Sequence, residues 1–356
     1  MQKELPVAKG ATVYFGGGTP TVLAAEQVGK IVSTLKHCGW WKEPAEATIE
    51  ANPGTVDAAK LKALREIGFD RISLGVQSLQ DKELRALGRI HTAEQALQAI
   101  EEAKQAGFRR INADLMSGIP CQTVESFRNT LDTVLQLGLS HISVYSLILE
   151  EGTPLERLAG EGRAQLPDEE SSYVMYEMTT EVLAQAGLQR YEISNYAVPG
   201  EESLHNIVYW HYEPYAAFGV GACTFDGKER RTNTADVQEY IKGWNMAEVV
   251  SRNSGTVMRR TGDLEDGGEV GEGTLWESED LDRKTQISEA LFMGLRTTEG
   301  IELRRFEKRY GISVQELYQN ELTTLKAQGM INISNRYLHL TSDGMRFGNR
   351  VFETFV

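Results

Sequence analysis

The sequence predicts an α/β protein built on a parallel sheet, and three observations carry that prediction. Short apolar runs alternate with stretches of helical periodicity at roughly 30-residue spacing, the pattern of βαβ units. Glycines close the helical stretches, at Gly68, Gly107 and Gly138, where a helix C-terminus favours positive φ. A polar residue or a glycine loop stands at the C-terminal end of strand after strand. Ligands gather there in doubly wound sheets and barrels alike, and the pattern leaves both architectures open.

The first element is the strand Thr12–Phe15, running into Gly16-Gly17-Gly18-Thr19-Pro20-Thr21. Adjacent glycines let backbone approach a ligand closely, and Pro20 fixes φ at the entry to the next element. A helix from Leu23 to Lys36 follows, with Val28, Ile31, Val32 and Leu35 on its apolar face. The second strand, Ala47–Ala51, ends in the turn Asn52-Pro53-Gly54, and the next helix carries Leu61, Leu64 and Ile67. Arg71–Val76 is a strand ending at Gln77, followed by helical stretches at 81–87 and 93–105. The strand Arg110–Met116, a helix from Val124 to Leu137 and the strand His141–Leu147 complete five units. Glu50, Gln77, Arg89 and Asp114 therefore join the glycine turn at one end of the sheet. Singly each could be a strand-end hydrogen-bonding residue; jointly they fit a shared polar ligand.

Bulk properties exclude several classes. At 356 residues, 41% hydrophobic and 25% charged, the chain is long enough for one large α/β domain with an appendage, or two domains. It contains no apolar run of the length a membrane span requires. Its N-terminus lacks the apolar core of a secretory signal, which leaves the cytoplasm as the expected compartment. A net charge of −14 argues against general nucleic-acid binding. Three widely spaced cysteines, Cys38, Cys121 and Cys223, make neither a disulfide framework nor a C-x-x-C pair.

Five motifs appear in order: Phe15–Thr21, Ile49-Glu50-Ala51-Asn52-Pro53-Gly54-Thr55, Gly75-Val76-Gln77-Ser78, Leu87-Gly88-Arg89-Ile90-His91 and Asp114–Pro120. On these the chain resembles the oxygen-independent coproporphyrinogen III oxidase-like branch of the radical S-adenosylmethionine (SAM) superfamily, and within it the HemW-type heme chaperones. The resemblance implies a partial (β/α)6 TIM-type barrel of the radical SAM kind, missing its first strand, with a C-terminal α+β winged-helix-like domain. It implies SAM contacts at Gly17, Gly18, Thr19, Glu50, Gln77, Arg89 and Asp114. The chemistry agrees, since acids suit a cation and a ribose diol, and an arginine suits a carboxylate. His205-Asn206-Ile207-Val208-Tyr209-Trp210 matches the family's H-N-x-x-Y-W heme signature. His205 is then the expected ligand of heme iron, with Tyr209 and Trp210 packing on the macrocycle and His211 a second candidate. The implied partners are heme and a heme-accepting protein.

The family also holds a [4Fe-4S] cluster on a C-x-x-x-C-x-x-C loop upstream of the glycine turn. Here fifteen residues precede that turn and none is a cysteine. The sequence thus predicts a truncated product, a degenerate member or a start placed within a longer reading frame, and reductive SAM cleavage is not expected from it. An oxygen-independent coproporphyrinogen oxidase of porphyrin biosynthesis and an inactive family member stay open as alternatives.

Residues 154–168 read as a charged connection, 171–186 as a helix and 189–196 as a further strand. Phe218–Ala222 is a second glycine-bearing turn, where related sequences often place a histidine after it and this one has Cys223. The expected domains are a barrel over 1–200, a heme-motif region over 201–260, a mobile acidic, glycine-rich linker over 261–280 and the C-terminal domain over 281–356. That last part reads as helices at 287–295, 303–310 and 314–328 and a hairpin of Met330–Ile333 with Tyr337–Leu340.

Overall fold

The computed structural model describes residues 9–244 and 276–355. Among the described residues the chain divides into two units, one made of residues 9–207 with Thr297–Glu299, the other of residues 208–244, 276–296 and 300–355.

The first unit is the α/β body. Its strands are β1 (Thr12–Phe15), β2 (Glu46–Ala51), β3 (Arg71–Gln77), β4 (Arg110–Ser117), β5 (His141–Ser146), β6 (Gln189–Arg190) and β7 (Asn195–Ala197), in the spatial order β1-β2-β3-β4-β5-β7-β6. β1 to β5 are parallel neighbours. The strand expected at 189–196 is instead two short strands, β6 and β7, both antiparallel to their neighbours. The intervening Glu192 is nearly fully buried and takes up the turn, accepting from the side chain of Asn195.

The helices α1 (Ala25–His37), α2 (Ala58–Ile67), α3 (Asp81–Ala86), α4 (Ala93–Gln105), α5 (Val124–Gln136), α6 (Pro154–Gly160) and α7 (Glu169–Gln185) connect these strands. Their starts are set by polar caps: Asp57 accepts from Lys60 N, Asp168 from Ser171 N, and Thr92 makes a reciprocal capping box with Gln95. The connection expected at 154–168 contains α6, which starts on the Thr153 cap with Pro154 in its first turn. One face of the sheet is apolar. Ile72, Leu74, Val76, Ala113, Leu115 and Ile142 are essentially fully buried in one core with Leu61, Leu64, Ile100, Phe127 and Leu131 from the helices. Burial of each such Leu, Ile or Phe contributes up to ~1.5–3 kcal/mol.

The second unit contains an antiparallel sheet of β8 (Cys223–Phe225), β9 (Glu229–Asn233) and β10 (Trp276–Asp280), ordered β10-β9-β8. The last five residues of the expected linker are therefore a strand; its residues 261–275 lie outside the described residues. Across this pairing Glu279 of β10 meets Arg230 of β9 at 3.0 Å. The C-terminal part has helices Arg283–Gly294, Leu303–Tyr310, Val314–Leu317 and Gln319–Ala327, and a sheet of Ile301–Glu302, Tyr337–Leu340 and Ile331–Ile333. The helix expected over 314–328 breaks at Tyr318, whose φ and ψ of −126° and 37° are not helical.

Gly300 enters this small sheet with φ +80°, and a Cβ there would stand 2.2 Å from the Leu338 carbonyl oxygen. Gly300→Ala should destabilise the protein by ~2 kcal/mol or more, through strain and backbone displacement together. A denaturant midpoint equal to wild type would contradict this.

Candidate functional site

Alternation sends every second side chain of a strand to the opposite face. Opposite the apolar core those residues are Thr48 and Glu50 on β2, Arg71, Ser73, Gly75 and Gln77 on β3, Asn112, Asp114 and Met116 on β4, and His141, Ser143 and Tyr145 on β5. Together with Tyr14 they line a cavity of about 400 Å³ in the first unit. From Arg71 to Gln77 it follows the strands for roughly 20 Å, at ~3.3 Å per residue. A barrel interior that serves only as core is filled by Val, Ile and Leu. Polar side chains around a space of this size are the mark of a ligand site.

Of the expected SAM contacts, Gly18, Thr19, Glu50, Gln77, Arg89 and Asp114 line this cavity; Gly17 belongs to the same turn but not to the cavity wall. Gly17 and Gly18 have φ of +83° and +127°, with open space where a Cβ would point. Glycine is needed there for its backbone conformation rather than for room. Gln77 has φ +66°, and the β3–β4 ladder shifts register between Leu74 and Gln77. Left-handed backbone at a non-glycine costs on the order of 1–3 kcal/mol and clusters at ligand sites. The loop after Gln77 is held by the buried Glu83 carboxylate, which accepts from Ser78 at 2.6 Å and Ser126 at 2.5 Å.

At mid-depth Tyr14 donates its hydroxyl to Glu50 at 2.5 Å. Burial first, and then the Glu50 charge, keep that phenol protonated. Asp114 accepts from Ser73 at 2.8 Å and from Asn112 at 2.8 Å. Burial pushes its carboxyl up to about 6, against these hydrogen bonds and with the help of the Glu50 charge. Burial lowers the Arg89 guanidinium, and the Asp114 charge opposes it.

At the lower end His141 Nδ1 donates to Asn112 Oδ1 at 2.7 Å, and His141 Nε2 accepts from the Tyr191 hydroxyl at 2.9 Å. Burial, with the Arg71 charge, brings His141 down to about 3, so it stays neutral. Arg71 is 2% exposed, and its Nη1, like the Thr48 Oγ1 beside it, has no hydrogen-bond partner among the described residues.

The H-N-x-x-Y-W motif forms a helix, α8 (Leu204–Trp210), with His211 in the turn after it. His205 belongs to the first unit. Its Nδ1 lies 2.8 Å from Thr12 Oγ1, and its ring stacks on Tyr14 at 4.8 Å and 14°. Burial lowers it to about 4, with the Glu46 charge acting the other way. Tyr209 and Trp210 belong to the second unit. Tyr209 packs against Tyr215 at 4.5 Å, and the Arg296 guanidinium lies 5.6 Å from the Trp210 ring centre. Burial raises Tyr209, the nearby Cys223 adding to it.

The upper and middle cavity suits SAM by its donor set. Two carboxylates face space for a cation and a diol, and an arginine and a glycine turn face space for a carboxylate. Cys38 caps the end of α1, Cys121 follows β4 at the opposite end of the sheet, and Cys223 is in β8 of the other unit. No group of three His, Cys, Asp or Glu side chains fit for a metal occurs among the described residues.

A parallel sheet with a polar cavity along its strands and a glycine turn at its mouth defines a radical SAM-type α/β protein. The Radical SAM superfamily matches residues 2–134, and the HemN C-terminal domain matches residues 281–347. The fold is that of HemN, the coproporphyrinogen III oxidase of Escherichia coli and a radical SAM enzyme, at a TM-score of 0.75 and 21% identity over 97% of this chain and 77% of that one. The chain is 34% identical to the heme chaperone HemW of Lactococcus lactis subsp. lactis (strain IL1403), over 99% of this chain and 86% of that protein. It is 36% identical to the heme chaperone HemW of Bacillus subtilis (strain 168), over 97% and 85%. It belongs to the HemW heme chaperone family.

Sequence reasoning found the strand-end residues and missed Tyr14, Thr48, Arg71, Ser73, Asn112, His141 and Ser143. The signal was present as polar residues two apart within β2 to β5, which places them on the same face as Glu50 and Asp114.

Proposed function

We propose that this protein binds heme through His205 and passes it to an acceptor protein, working in the cytoplasm. The observation that carries the proposal is His205 itself. Iron takes a neutral imidazole, and burial keeps this one neutral with its orientation fixed by Thr12 and Tyr14. The names of the HemW relatives support the same reading. Tyr209 and Trp210 would add aromatic contact on the same helix.

The cavity is proposed to hold SAM, with Glu50 and Asp114 toward its cationic and diol groups, Arg89 toward its carboxylate, and Gly17, Gly18, Thr19 and Gln77 around them. When bound, SAM supplies a sulfonium-linked adenosyl group.

Titration of the purified protein with heme should give a saturable Soret band. His205→Ala should weaken heme binding by roughly tenfold or more, the loss of one ligand worth at least ~1.4 kcal/mol, and should change the visible spectrum. Unaltered affinity and spectrum in His205→Ala would remove His205 as the ligand.

A further inference from the structure

A buried ion pair lies under the start of α8, and the cavity's candidate ligand set makes no use of it. Glu46 opens β2 and is 0% exposed; Arg71 opens β3 and is 2% exposed, with Nε 2.8 Å from Glu46 Oε2. The Glu46 carboxylate also accepts from Leu204 N at 3.2 Å, His205 N at 3.1 Å and Ser203 Oγ at 3.3 Å. Arg71 Nη2 donates to the carbonyls of Glu201 at 2.9 Å and Glu202 at 3.0 Å. Residues 201–205 are thus gripped at every position by one pair of side chains.

The grip has a chemical logic. The first N–H groups of a helix lack intrahelical partners, and a carboxylate satisfies them while meeting the positive end of the helix dipole. Glu46 is in register with Thr12, the residue beside His205 Nδ1. One strand-pair position therefore holds both the backbone and the ring of His205, and Tyr14, two residues along β1, sets its plane. The partner of one imidazole nitrogen decides what the other can do.

We propose that Glu46 and Arg71 are positioning residues for His205, holding its imidazole in a single orientation before heme arrives. The proposal deepens the heme-binding reading above and rests on it. If the pair served only to hold the end of the sheet together, it would affect stability and leave the imidazole's tautomer and the heme spectrum unchanged.

The test uses the full chain with Arg71→Lys, which loses the fork to 201 and 202, and Glu46→Gln, which keeps an oxygen acceptor and loses the charge. Imidazole nitrogen resonances of the heme-free protein, with His205 assigned by its loss in His205→Ala, should report one tautomer in wild type and averaging in Arg71→Lys. Glu46→Gln should fall between them. Heme affinity should drop about tenfold in Arg71→Lys, with a spectrum moved toward that of His205→Ala. A folded Arg71→Lys protein with the wild-type tautomer would overturn the proposal. Should His205→Ala leave heme binding unchanged, the heme reading falls, and the heme-free resonances still decide whether the pair positions the ring.

Discussion

Asp114→Asn should cost SAM roughly a hundredfold in affinity by calorimetry at pH 8, since truncating one partner of a buried charge contact typically costs ~2–5 kcal/mol. The same substitution should change how affinity and stability depend on pH. With its carboxyl raised to about 6, Asp114 carries its full charge only above that value. Wild-type affinity for the cation should therefore fall as pH drops below 6, and the Asn variant should lack that fall. Stability runs the other way. Between the ordinary value of 3.8 and about 6 the folded protein holds a proton that the unfolded chain has released. The contribution of this group is thus fully present below pH 4 and lost as pH rises through 6, by at most ~3 kcal/mol for two pKa units. Asp114→Asn should flatten that part of the stability profile, measured as urea unfolding at several pH values. An unchanged slope together with unchanged SAM affinity would remove Asp114 from the site. If affinity falls and the slope flattens as expected, the charge is a binding group whose burial the fold tolerates at a loss of stability.

Glu46→Ala should destabilise the protein by ~3–5 kcal/mol, because it leaves the Arg71 guanidinium buried without its counter-charge. Arg110, 3.7 Å from Glu46, also loses a partner. Three acceptor contacts to residues 203–205 disappear with the carboxylate. A denaturant midpoint that implies less than ~1 kcal/mol would mean that water or a nearby acid replaces Glu46 readily. Replacement of both members by apolar residues of similar volume should restore much of the loss, as broken pairs cost more than absent ones.

What the sequence determined by itself was local. Helix starts follow from caps such as Asp57, Thr92 and Asp168, and the β1 strand, the helix 93–105 and the strand 337–340 lie where their periodicity places them, because these signals act over a few residues. The strand-end chemistry of Glu50, Gln77, Arg89 and Asp114 was legible for the same reason: a parallel sheet puts all its strand ends together once the alternation is read. The antiparallel return of β6 and β7 was not legible, since it depends on a buried Glu192 turning inside what reads as one strand. Acidic β10 reads as linker until basic β9 lies beside it.

Only the tertiary structure decided how Glu46, Arg71 and residues 201–205 meet. Arg71 and Glu201 are separated by 130 residues, and Glu46 and His205 by 159. No local pattern marks a carboxylate whose partners are a distant helix start and a neighbouring strand's arginine. The sheet brings those strand beginnings to one end, and burial then obliges their charges to pair.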